Sequence, residues 1–208
     1  MLRAKTLEPA VALRRRWLYL IVGAICFLFL GFVYGWSILA VPLQSEFDWT
    51  SAQISMTFTI STAMFCIGGV LGAQLSKRTA PQVTIILSAV FVCVGYIIAS
   101  NVQADQIMVL HLAYGAVVGC SSGMAHNAIM GTVNRWFPDK VGTSSGFLTL
   151  GFGISSLAIG WLVGLSLDAL GWRVTFEVIG VTTALVMLVV SFYIRVPADN
   201  QILPAADT

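Results

Sequence analysis

Six long apolar blocks, separated by short polar stretches, run along the chain. A transmembrane helix needs about 20 mostly apolar residues to cross roughly 30 Å of hydrocarbon, and each block is long enough if it tilts. Because the connecting stretches are short, we expect consecutive helices to be antiparallel. The pattern predicts an all-α integral membrane protein with six transmembrane helices, near Trp17–Val41, Ser55–Leu75, Pro81–Ser100, Ile107–Val133, Ser145–Leu167 and Val174–Ile194.

The composition agrees with a membrane protein. Of the 208 residues, 58% are hydrophobic and 10% are charged, whereas soluble domains carry about 25% charged residues. The formal net charge of +2 and the lack of a basic, aromatic-rich patch give no indication of nucleic-acid binding. Each cysteine lies in a different apolar block, which favours small buried hydrophobes over disulfides or metal ligands; they are Cys26, Cys66, Cys93 and Cys120.

The distribution of basic residues predicts the orientation. Of the 11 lysines and arginines, all but Arg173 fall in connectors on one side of the predicted bundle. By the positive-inside rule this side, with both termini, is cytoplasmic, and we expect a bacterial inner membrane. The chain then divides into a cytoplasmic basic segment (residues 1–16), a six-helix transmembrane domain (17–194) and a cytoplasmic tail or linker start (195–208).

Several residues near the predicted helix ends carry local signals. The run Thr50–Gln53 has the spacing of a capping box and predicts the start of the second helix. Arg173 and Glu177 are four residues apart, so an ion pair at the outer end of the sixth helix is expected. Amphipathic indoles favour the membrane–water interface, where we expect Trp17, Trp49, Trp136 and Trp172.

The fourth apolar block contains both histidines of the chain, His111 and His126. At α-helical geometry they lie about 60° apart around the helix and roughly 22 Å apart along it. Small residues lie between them on the same side, at Gly115, Gly119, Ser122 and Gly123, and we call this set the helix 4 stripe. Ionisable groups inside a membrane favour a functional site. The alternative is that the glycines admit a neighbouring helix and the histidines hydrogen-bond to it.

The residues present argue against an enzyme. The chain lacks HExxH, GxSxG and phosphate-binding glycine motifs, and the histidines are too far apart to share a metal ion. Neutral polar side chains at membrane depth instead predict a lining for a small polar solute, with Tyr34 favoured because a buried phenol needs a partner. Besides His126, the candidate lining residues are Tyr34, Trp36, Asn127 and Ser155, and no cofactor is expected.

Several motifs resemble those of one transporter family. Six spans with both ends inside resemble the N-terminal half of a major facilitator superfamily transporter. More narrowly, the sequences at residues 31–37, 42–43, 47–55, 134–140 and 151–153 resemble the oxalate/formate antiporter family, and the resemblance extends from Arg14 to Pro197. It implies a carrier of small organic anions that works by alternating access and is built from inverted three-helix repeats around a central site.

The resemblance also assigns roles and shows departures. His126 stands where the family commonly has a cavity tyrosine, Asn127 stands where glycine is usual, and His111 replaces a motif arginine, which implies a proton or gate position. The acid usual between helices 2 and 3 is missing, and Val141 replaces an arginine. The family has twelve spans, so this chain would need a missing C-terminal half. Alternatives are a half-size carrier acting as a homodimer, or a non-transporting membrane scaffold or regulatory subunit.

Overall fold

The computed structural model describes residues 9–198 and residue 203, and every element in this part is helical. Gly171, with φ of 78° and ψ of 168°, divides the last helix in two. Six apolar segments result, as predicted, and we number them segments 1 to 6 along the chain. Segments 5 and 6 are the parts of the last helix, Val141–Tyr193, before and after Gly171. Residues 1–8, 199–202 and 204–208 of the expected terminal segments lie outside the described residues. The apolar helices are Val11–Phe47, Ser51–Arg78, Pro81–Ser100, Ile107–Asn134 and Val141–Tyr193.

Segment 1 is interrupted at mid-length. It consists of α1 (Pro9–Leu30), a 3₁₀ turn (Gly31–Gly35) and α2 (Trp36–Phe47). The helix begins at Pro9 and not at Trp17 as expected, so the arginine run is helical. At Gly31 a Cβ would overlap the carbonyl oxygen of Phe152. The interruption therefore lies at a point where the backbones of segments 1 and 5 are in close contact.

Segments 2 and 3 begin at the predicted signals. Segment 2 is α3 (Ser51–Arg78), and its capping box is formed: Gln53 N donates to Thr50 Oγ1, and Thr50 N donates to Gln53 Oε1. Segment 3 is α4 (Pro81–Ser100), with Pro81 in its first turn. A connector of two residues separates the helices, as the expected antiparallel arrangement of this pair requires.

Replacing the capping hydroxyl tests the start of segment 2. We expect Thr50→Ala to lower the free energy of unfolding in detergent by about 1 kcal/mol, because the Gln53 N–H loses its acceptor. Thr59→Ala is the matched control, since the Thr59 hydroxyl only bonds to the Ser55 carbonyl of its own helix. Denaturant titration followed by circular dichroism measures both variants. If both variants lower the free energy of unfolding equally, the cap contributes no stability of its own.

Segment 4 is not a uniform α-helix. It runs through α5 (Ile107–Leu110), a π-helical stretch (His111–Val118) and α6 (Gly119–Asn134). A π-helix bonds residue i to i+5 and therefore turns less per residue than an α-helix. The 60° separation expected for the two histidines assumes α-helical geometry throughout, which this stretch does not have.

The helix 4 stripe packs against segment 2. A Cβ on Gly119 would meet the backbone of Ser61, and one on Gly123 would overlap the carbonyl of Phe65. From the other side, a Cβ on Gly68 would overlap the carbonyl of Cys120. These glycines bring the two backbones into direct contact, as in other small-residue membrane crossings. The glycine part of the stripe is thus a helix contact, and only its polar neighbours remain candidates for a site.

The two ends of the bundle are closed by buried indoles. Three tryptophans expected at the lipid interface are buried, and each donates a hydrogen bond within the protein: Trp49 to Ala104 O, Trp136 to Arg195 O and Trp172 to Glu46. Trp17 alone of the four is exposed. Neighbouring segment ends therefore cover three of the rings, and the expected position of these indoles at the membrane–water interface stays a prediction.

Ion pairs also differ from expectation. Arg173 contacts Glu46 at 3.4 Å and donates to the carbonyls of Ser100 and Val102. Glu177 instead accepts from the Ser100 hydroxyl at 3.1 Å. The expected Arg173–Glu177 pair is wrong, because connectors from other segments reach the arginine. The guanidinium thus joins segments 1, 3 and 6 at what we call the opposite end, whereas the end with Arg14–Arg16 is the basic end.

Candidate functional site

His126 lies among three aromatic rings from three other segments. Its ring centroid is 4.6 Å from that of Phe27 in segment 1, 5.3 Å from Phe65 in segment 2 and 5.2 Å from Phe152 in segment 5. We call these four residues the aromatic cage. The cage therefore gathers side chains from segments 1, 2, 4 and 5 around one imidazole.

Phe152 is the centre of this arrangement. Its ring lies 5.9 Å from Phe27 and 5.6 Å from Phe65. The Tyr34 ring meets it edge to face at 5.4 Å and an interplanar angle of 90°. Edge-to-face contacts of this kind stabilise aromatic pairs beyond simple burial. Close approach of Gly151 to the carbonyl of Ala24 sets the distance between segments 1 and 5 here.

The imidazole presents an unused polar atom. Within the described part of the chain, Nδ1 of His126 is buried and has no hydrogen-bond partner. Leaving a buried polar atom unpaired costs about 1–3 kcal/mol, so a ligand that pairs with it gains affinity. No carboxylate or basic side chain belongs to the cage. The cage therefore offers one hydrogen-bond donor or acceptor, the imidazole nitrogen, surrounded by aromatic rings. This arrangement suits a small polar solute.

Tyr34 contacts the cage through Phe152, whereas Trp36 lies in a different environment. Tyr34 is 52% exposed, so the expectation of a buried phenol is wrong. Trp36 is buried, donates to the Ile54 carbonyl at 3.2 Å and stacks on Tyr114 at 4.5 Å. Both residues line a groove of about 400 Å³ between segments 1 and 2. Its polar lining side chains are those of Tyr34, Ser37, Gln44, Ser51 and Ser55.

Asn127 and Ser155 differ in exposure. Asn127 is exposed, and its amide lies over Gly69, where a Cβ would stand 2.5 Å from the amide nitrogen. Ser155 is fully buried where segment 5 crosses Gly31, and its hydroxyl has no partner in the described residues. The structure thus brings Tyr34 to the cage through Phe152, whereas Ser155 lies in a helix contact.

His111 is held by segment 2. It is buried, and its Nδ1 lies 2.8 Å from the Thr57 hydroxyl. A hydrogen bond to a neighbouring helix is what the structural alternative for this histidine predicts. Among residues 9–198 and 203, no group of three His, Cys, Asp or Glu side chains could hold a metal ion.

The phenylalanines of the cage were not identified from the sequence. Phe27 and Phe65 are apolar residues in apolar segments, so periodicity cannot distinguish them from packing residues. Phe152 had a usable signal, because it lies between Gly151 and Gly153 in a motif shared with a known family. Of the two glycines, only Gly151 makes a close approach, to the carbonyl of Ala24, whereas a Cβ at Gly153 would meet nothing within 4 Å.

Comparisons with known proteins agree on one family. Residues 14–207 match the model of the Major Facilitator Superfamily. The chain is 26% identical to the oxalate:formate antiporter of Oxalobacter formigenes over 90% of the chain and 44% of that protein. It is 26% identical to the uncharacterized MFS-type transporter YhjX of Escherichia coli (94% and 48%) and 23% identical to monocarboxylate transporter 13 of Rattus norvegicus (69% and 33%).

Each of these relatives is longer than the chain. The chain spans about half the length of the first two relatives, at 44% and 48%. The family match, by contrast, covers nearly all of the sequence. With its apolar helical segments, the chain is a multi-pass membrane protein that belongs to the Major Facilitator Superfamily.

Proposed function

We propose that this domain is the N-terminal half of a secondary active transporter that moves small organic anions, such as mono- or dicarboxylates, by alternating access. The observation that carries the proposal is the unpartnered His126 nitrogen within the aromatic cage. Two of the similar proteins support the substrate class, since their names are oxalate:formate antiporter and monocarboxylate transporter. The proposal excludes an enzymatic role.

The cage chemistry suits an anion that must bind and leave. An imidazole N–H donates a hydrogen bond to a carboxylate, and a bond to a charged acceptor is stronger than a neutral one. The aromatic rings reduce access of water and present their positive edges to the anion. In this proposal His126 binds the substrate, the half-exposed Tyr34 and Asn127 complete the lining, and Trp36 and Ser155 contribute from the helix contacts.

Segments 1, 2, 4 and 5 supply only one side of the proposed binding site, so a second unit is required to enclose the substrate. The partner is a C-terminal six-helix half or a second copy of this chain, and it covers the cage face of segments 1, 2, 4 and 5. His111, bonded to Thr57, serves as a proton or gate position between segments 2 and 4. The basic end faces the cytoplasm of a bacterial inner membrane, as the asymmetry of basic residues favours.

Substitution of His126 tests the proposal. In proteoliposomes containing the chain with its second unit, we expect His126→Ala to raise the KM for carboxylate uptake about 10- to 100-fold, the equivalent of one hydrogen bond to a charged group. His126→Tyr retains a donor and loses less. Val181→Ala, at an exposed side chain of segment 6, which contributes no residue to the cage, is the control and leaves KM unchanged.

Three results would contradict parts of this account. Unchanged affinity and pH dependence in both His126 variants would remove His126 from the site. Uptake by the chain alone, with a dimer in detergent, would identify a homodimeric half-size carrier. Absence of carboxylate uptake in every assembly, with the protein folded, would favour a scaffold or regulatory subunit.

A further inference from the structure

A second groove lies on the outside of the bundle, between segments 1 and 6. Its volume is about 500 Å³, and aliphatic side chains line it except at Tyr193. It is separate from the aromatic cage, since none of the cage residues lines it. Its lining residues include Leu18, Val22, Ile25, Val189 and Tyr193.

The groove runs inward from the basic end. Leu18, Val22 and Ile25 repeat at helical spacing, so they form one face of α1. Arg14 and Arg15 precede Leu18 by four and three residues and continue this face toward the end of the helix; both side chains are exposed. Tyr193, the last residue of the helix Val141–Tyr193, closes segment 6 at the same end.

We propose that this groove binds one anionic phospholipid, with an acyl chain between segments 1 and 6 and the phosphate on Arg14 and Arg15. The aliphatic walls match an alkyl chain, which has no polar group to satisfy. Guanidinium groups bind phosphate oxygens in bidentate geometry, and basic sites between transmembrane helices bind anionic head groups. The site is independent of the transported solute.

Charge argues for a lipid over a second copy of the chain. In a two-fold dimer the same patch faces itself, and with the axis along the membrane normal both copies place their basic ends on one side. The paired Arg14 and Arg15 side chains would then repel each other. An anionic phospholipid instead supplies the opposite charge at the level of the arginines.

Lipid retention measured on the purified chain tests the proposal without a transport assay. Native mass spectrometry compares dioleoyl phosphatidylglycerol with dioleoyl phosphatidylcholine. We expect one phosphatidylglycerol to remain bound, and Arg14→Gln/Arg15→Gln to weaken its binding about tenfold, to the level of phosphatidylcholine. Lys77→Gln/Arg78→Gln removes two exposed charges at the same end but away from the groove, and leaves retention unchanged.

A groove-filling variant separates the acyl chain from the charge. Val189→Trp occupies the groove without changing any charge, and we expect it to weaken phosphatidylglycerol binding as well. Equal retention by the wild type and the Arg14/Arg15 variant would overturn the proposal. So would an equal loss in the Lys77/Arg78 control, which indicates diffuse charge attraction. Cross-linking of Leu18→Cys to Val189→Cys between two copies would show that a second chain occupies the groove.

Discussion

Removing one partner of the Arg16–Asp139 ion pair is expected to lower the free energy of unfolding by about 3–5 kcal/mol, as for other buried pairs. The guanidinium Nη1 lies 2.7 Å from Asp139 Oδ1, and the side chains are only 8% and 13% exposed. The guanidinium also lies 4.8 Å above the Phe137 ring. The pair joins the start of segment 1 to the connector between segments 4 and 5.

Single and double variants isolate this pair. Arg16→Met leaves the Asp139 carboxylate buried without its counter-charge, whereas Arg16→Met/Asp139→Leu removes both charges and recovers much of the stability. Arg135→Gln, at an exposed arginine of the same end, is the control. Denaturant unfolding in detergent measures all three. If Arg16→Met costs no more than Arg135→Gln, the pair does not stabilise the basic end.

The second large effect is expected at the crossing of segments 2 and 4. Gly123→Ala places a Cβ where the carbonyl of Phe65 lies, so the two helices must separate. Overpacking of a tight contact costs typically 1–3 kcal/mol and occasionally more, and backbone cannot move aside as a side chain can. We expect a loss of about 3 kcal/mol and weaker anion uptake, because His126 follows Gly123 on the same helix.

Gly131→Ala is the matched control on the same helix. A Cβ there meets nothing within 4 Å, and alanine is the better helix former by up to about 1 kcal/mol. Thermal unfolding in detergent compares the two variants. Equal stability of Gly123→Ala and Gly131→Ala would mean that segments 2 and 4 do not touch at Gly123.

Much of the fold follows from local sequence. A sequence pattern can predict features that depend on neighbouring residues. Such features are the six apolar segments, the capping box at Thr50 and the position of Pro81 in a first helical turn. The ends of the bundle depend on residues far apart in the chain. Arg16 pairs with Asp139, and Arg173 contacts Glu46 and not Glu177. Charge spacing along one helix cannot predict such pairs.

The site was predictable in part. An ionisable residue in an apolar segment identifies His126 as a candidate, and the structure surrounds it with rings. The geometry of the helix 4 stripe could not be predicted from the sequence, because the π-helical stretch changes the rotation between His111 and His126. Glycines that pack on a helix and glycines that line a cavity have the same spacing. Only the contacts with Ser61 and Phe65 distinguish them.

Access to the cage from both sides of the membrane tests the proposed transporter most directly. In an assembly active in uptake, a cysteine at Asn127, beside His126, is exposed to a charged thiol reagent added to either side of sealed vesicles. Alternating access predicts labelling from both sides and protection by saturating carboxylate, while Val181→Cys, on segment 6, which contributes no cage residue, stays unlabelled. Labelling at position 127 from one side only, without protection by any carboxylate, would contradict the account.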